Sequence, residues 1–205
     1  LGYLPASDPT DRTSDRLDND MNLSSWMGWE NGVAVAARTR DTFTQPNLFV
    51  FAVDRVQTEF GTSAIAFVTW KARLDAPPRV HSIVVESVKI TSPIVEHLVK
   101  GTPWEGAPLE AGIVDVNFKA RKRRLAVDIT GTSWTVELRL GKLAEPIFEE
   151  RPPGEGAPFG QRLISAAAES AKARLDGTVR RLRLAEGGPF GGAPAAWLPS
   201  GLFFR

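Results

Sequence analysis

Between residues 113 and 140 the chain alternates apolar and polar side chains with a period of two, and only a pleated strand places every second side chain on one face. Val114, Val116 and Phe118, then Leu125, Val127 and Ile129, then Trp134, Val136, Leu138 and Leu140 share one face. Asp115, Asn117, Lys119, Arg124, Asp128, Thr135, Glu137 and Arg139 share the other. The pattern predicts a three-stranded antiparallel meander with one solvated face, turning at 120–123 and at Gly131.

Upstream, residues 33–38, 48–56, 64–71 and 80–90 are rich in branched and aromatic side chains and bounded by turn-formers, which predicts four further strands. These are apolar on both faces. Ala64, Ala66, Val68 and Trp70 form one side of the third, Ile65 and Phe67 the other, as in a strand held between two layers. Ser92-Pro93 reads as the start of a short helical turn through Val99, stopped by Gly101. Pro158 reads as the opening of a longer helix through Leu175, with Ile164, Ala167, Ala168, Ala171 and Leu175 on one face and Gly177 at its end. Residues 178–184 fit either a last strand or a second short helix.

The fold class expected is therefore mainly β: an antiparallel barrel or two-layer sandwich of about seven or eight strands with one helix packed on it in the C-terminal third. Five stretches divide the chain: an extended acidic arm (1–31), the antiparallel core (32–144), a Pro/Gly/Glu linker (145–157), the helix and final element (158–186) and an aromatic tail (187–205). Asp8, Asp11, Asp15, Asp18 and Asp20 with few large apolar residues leave the arm unable to fold alone. The strand pattern resembles that of lipocalin-like barrels, without any motif of that family, and no residue role follows from it.

Several chemistries are excluded. No cysteine is present, which removes disulfides, thiolate catalysis and thiolate metal sites. Asp18, Asp20 and Asn22 begin a calcium-loop spacing, yet Leu23 stands where glycine is needed and Trp29 where glutamate is needed, so no metal is expected. The glycines at 154, 156 and 160 miss the dinucleotide spacing, and no cofactor is expected. No apolar run approaches the roughly 18 residues of a spanning helix. A chain opening on Leu1 fits a processed, exported or organelle-imported form, and composition leaves the compartment open.

Four sets of residues remain as candidates. His81 is the one catalytic candidate, a strand imidazole able to act as general base if a carboxylate orients it. Phe67, Trp70, Phe118 and Trp134 are candidate walls of an apolar ligand pocket. Trp26, Trp29, Trp104, Trp197, Phe203 and Phe204 fall in predicted loops, arm or tail and are candidate interface anchors. Lys119, Arg121, Lys122, Arg123 and Arg124 put five cations in six residues at a hairpin tip, a candidate anion site.

The expectation that follows is a non-enzymatic structural or interaction subunit, self-associating or bound to protein partners through its arms and loop tryptophans. The rival is a barrel that binds, or cyclises or isomerises, a small apolar molecule. A third is anion or nucleic-acid binding through the 119–124 hairpin. With a net charge of +1 and no aromatics interleaved among those cations, nucleic acid is the weakest partner class.

Overall fold

The structure, a computed structural model, describes residues 25–86, 93–112, 115–154 and 159–205. Its strands are β1 (Trp26–Trp29), β2 (Asn31–Arg38), β3 (Leu48–Thr58), β4 (Gly61–Trp70), β5 (Val80–Val85), β6 (Leu109–Ala111) and β7 (Asp115–Arg121). There follow β8 (Arg124–Thr130), β9 (Thr135–Leu143), β10 (Ile147–Arg151), β11 (Gly160–Leu175), β12 (Thr178–Leu184) and β13 (Ala195–Phe204). One helix, α1 (Pro93–Val99), stands between β5 and β6.

Six strands close a hydrogen-bonded ring in the order β1, β13, β11, β12, β2, β3. From β3 one wing continues through β4, β5 and β6, and from β11 another continues through β9, β8 and β7, while β10 lies beside the first half of β11. The inner faces of the two wings meet. Val50, Ala52, Val68, Trp70 and Val84 of the first pack with Leu125, Val127, Ile129, Val136 and Leu138 of the second in one apolar core. The predicted mainly-β barrel and the alternation of the meander hold: β7, β8 and β9 keep the expected faces and are joined residue for residue from Asp115–Thr130 to Thr130–Thr135.

The opposite face of the first wing is also buried. Ile65 and Phe67 of β4, Phe51 and Val53 of β3 and Val85 of β5 pack under Ile94 and Leu98 of α1, Trp104 and Phe203. Strands β3 and β4 thus separate two cores, as their doubly apolar sequence predicts. Arg55 takes a left-handed φ of 45° at a bulge in β3, where the Asp54 carboxylate accepts from the Asn31 N–H at 2.7 Å. Burial raises the Asp54 carboxyl above its ordinary range, and the hydrogen bonds from Asn31 only partly oppose this.

One predicted element changes type, and one open alternative is resolved. The long helix over 158–175 is strand β11, and the one described helix is the short one that Ser92-Pro93 announces. Asp176 and Gly177 both have positive φ, 51° and 69°, and form a two-residue hairpin that pairs Leu175 with Thr178. An Asp-Gly hairpin signal therefore outweighs the alanine-rich composition that suggested helix. Residues 178–184 are strand, and the chain has more strands than the seven or eight expected.

The aromatic tail is likewise no tail. Residues 195–204 form β13, held between β1 and β2 on one side and β11 on the other. Gly201 lies so close to Trp29 that a Cβ there would fall inside the indole. The acidic stretch 1–24 lies outside the described residues; the rest of the supposed arm, from Ser25, is buried or half-buried as β1.

Candidate functional site

A row of small side chains crosses the ring on the face turned away from the wing interior. Register pairs Ala167 of β11 with Ala196 of β13, Ala196 with Ala34 of β2, and Ala34 with Phe51 of β3. Three alanines in succession leave a trough between Phe51 and the bulkier β10 edge. Phe190 closes one side: its ring meets Phe51 edge-on at 4.9 Å and Trp104 at 5.5 Å. The loop that carries it turns tightly, with the Gly188 N–H donating to the Gly192 carbonyl at 3.1 Å and left-handed Gly191 and Gly192 beside it. The result is a cleft of about 170 Å³.

Polar groups gather at its mouth. Ile147, Glu149 and Arg151 alternate along β10 and pair with Ser165, Leu163 and Gln161 of β11, so all six side chains face the cleft. Glu149, Gln161 and Ser165 are half-buried and Arg151 is exposed. Among the described residues none of these four is hydrogen-bonded or ion-paired through its side chain. The floor is apolar: Ala34, Phe51, Ala196, Leu198 and Phe203. Such a site can hold an apolar body and bind a polar substituent at its rim.

A second cleft, about 280 Å³, opens between the segments around Phe43–Asn47 and Lys71–Pro78. Thr69 lines it, and the Thr69 Oγ1 lies 2.7 Å from His81 Nδ1 and 3.4 Å from the Pro103 carbonyl. The predicted catalytic histidine is therefore tied to a hydroxyl, with no described carboxylate bonded to it. The other histidine, His97, meets the Arg205 guanidinium at 2.7 Å. A lysine amine becomes nucleophilic when it is desolvated or set beside another cation; the described lysines are exposed, apart from half-buried Lys71. No group of three metal-ligating side chains occurs among the described residues.

The predicted pocket aromatics do not converge. Trp70, Phe118 and Trp134 face the core between the wings, whereas Phe67 lies in the other core, against Trp104. The β4 pleat separates them, since Phe67 and Trp70 have opposite parity. Trp70 stands under Arg79, which pairs with Asp176 at the β11–β12 turn. The buried indole N–H groups of Trp70 and Trp134 have no hydrogen-bond partner among the described residues.

The interface anchors are corrected in the same way. Trp29, Trp104, Phe203 and Phe204 are 4%, 0%, 2% and 5% exposed, so they are core residues and unavailable to a partner. Trp197 is half-buried against the inner core, and Trp26 is half-buried in β1. Lys119, Arg121, Lys122, Arg123 and Arg124 are exposed at the β7–β8 hairpin as predicted, with Arg123 donating through Nε to the Leu143 carbonyl at 2.7 Å. Sequence reasoning missed Glu149, Arg151, Gln161, Ser165 and Phe190, which fell in the supposed linker, helix and tail.

No family model matches the chain, and no curated protein does. Two solved structures are similar to it. One is described as an acetoacetate decarboxylase, with a TM-score of 0.42 and 6% identity over 88% of this chain and 86% of that one. The other is the acetoacetate decarboxylase of Legionella pneumophila, with a TM-score of 0.38 and 9% identity over 100% and 96%. The expectation of a structural subunit docking through its termini and loop tryptophans is withdrawn, because four of its six anchors, Trp29, Trp104, Phe203 and Phe204, are core residues. No described helix is long and apolar enough to cross a membrane.

Proposed function

We propose that this chain is a small-molecule-binding β-barrel whose ligand pairs a ring-sized or short-chain apolar body with a polar head. The observation that carries the reading is the coincidence of an apolar floor with four uncommitted polar side chains at one mouth. A dry cavity of about 150 Å³ accommodates benzene, so the 170 Å³ here suits a single ring or a chain of a few carbons. Gln161 and Ser165 supply neutral donors and acceptors, while Arg151 and Glu149 set the polarity of the head group across β10 and β11.

The test is a screen of single-ring acids, amides and alcohols by protein-observed NMR. Bound compounds should shift the amides of 161–167 and 190–193. Ala167→Trp, which fills the trough from an exposed position, should weaken binding more than tenfold with Tm unchanged, and Gln161→Leu should weaken it about fivefold, near the worth of one hydrogen bond. Binding that ignores Ala167→Trp would sink the assignment. A second reading places the ligand between the wings, where the Trp70 and Trp134 indole N–H groups have no partner among the described residues. It predicts shifts of those two indole N–H signals instead.

A further inference from the structure

The solvent face of the second wing carries an uneven charge for a chain whose net charge is +1. Cross-strand register sets cations directly opposite one another at Arg121 and Arg124, at Arg139 and Lys172, and at Lys172 and Arg181, and it also opposes the carboxylates Asp128 and Glu137. Directly opposed like charges destabilise a sheet. Arg139 is relieved by Asp128 and Glu137, at 2.7 and 3.4 Å, and Arg174 by Glu137 at 3.5 Å. Lys119, Arg121, Lys122, Arg124, Lys172 and Arg181 have no ion-pair partner among the described residues. A fold that retains such repulsion on one face, when acidic residues at the same positions would remove it, points to a function for the charge.

We infer that this face docks on an anionic phospholipid bilayer. The six cations span β7 to β12, about 19 Å at the usual strand spacing. Each of the wing's aromatics, Phe118 and Trp134, packs toward the inner core, so nothing on the face stacks on bases as single-stranded nucleic acid requires. A sheet wrapped around a core is convex on its outer side, and a straight duplex touches a convex surface along one line only. Fluid headgroups gather around it, and each basic side chain near an anionic surface is worth roughly fivefold in affinity. Val179, 58% exposed beside Arg174, adds an apolar contact at the headgroup level.

The experiment is co-sedimentation of the full chain with vesicles of phosphatidylcholine containing about 30% phosphatidylserine, against phosphatidylcholine alone, over a salt series. Binding is expected to the anionic vesicles only and to fall steeply with salt. Neutralising Lys119, Arg121, Arg124, Lys172 and Arg181 to glutamine should reduce it more than a hundredfold. Lys172→Gln alone should weaken binding and raise Tm, because it removes two opposed pairs at once; a merely destabilised variant would lower Tm. Equal sedimentation with both vesicle types, retention of binding by the five-fold variant, or capture of duplex DNA without capture of vesicles would each overturn the inference.

Discussion

Asp54 shows how a single side chain reports the competition between burial and hydrogen bonding. Its carboxyl is raised chiefly by burial, against the opposing bonds from Asn31 and the charge of Arg55. A carboxyl raised by folding binds its proton more tightly in the native state than in the unfolded chain. Its contribution to stability is therefore full below the ordinary carboxylate range and is lost as pH rises through the raised value. Asp54→Asn keeps an oxygen acceptor for the Asn31 N–H and removes the charge. Urea denaturation at pH 4 and pH 7 should show a smaller loss of stability between the two for the variant than for the parent; an unchanged difference would mean that Asp54 titrates normally.

Strand β11 shows what was and was not legible at the level of elements. The meander 113–140 could be read directly because its alternation is uninterrupted and one face is charged. In β11 the buried positions run Ala166, Ala168, then Ala171, Ala173, Leu175, so the alternation slips by one across Glu169-Ser170. That slip, together with alanine's helix propensity, imitates a helical stripe. The strand is held by partners distant in sequence, β13 and β10 along one half and β9 and β12 along the other. The cleft residues were hidden for the same reason: Gln161 and Ser165 become neighbours of Arg151 and Ile147 only once β11 is a strand. Hydrogen exchange should find the amides of 171–175 among the slowest in the protein and those of edge strand β10 much faster. Rapid exchange across 171–175 would show that tertiary pairing does not secure the strand.

At the scale of the whole molecule, the two cores share β3 and β4 and cannot be lost separately. Leu138 lies in one core and Phe67 in the other, each fully buried. Leu138→Ala and Phe67→Ala should each cost about 2–5 kcal/mol, and both should lower the same single transition seen by near- and far-ultraviolet circular dichroism. A separate early transition in either variant would make the cores independent. The ring has a mechanical corollary as well. Trp26 pairs with Phe204, and the Arg205 N–H donates to the Ser25 carbonyl at 2.9 Å, so the two ends of the described body lie side by side. Tension applied through those ends would pull across the β1–β13 bonds and open them one by one, as a zipper opens. A seam that closes the ring at rest would therefore be the first place to part under load.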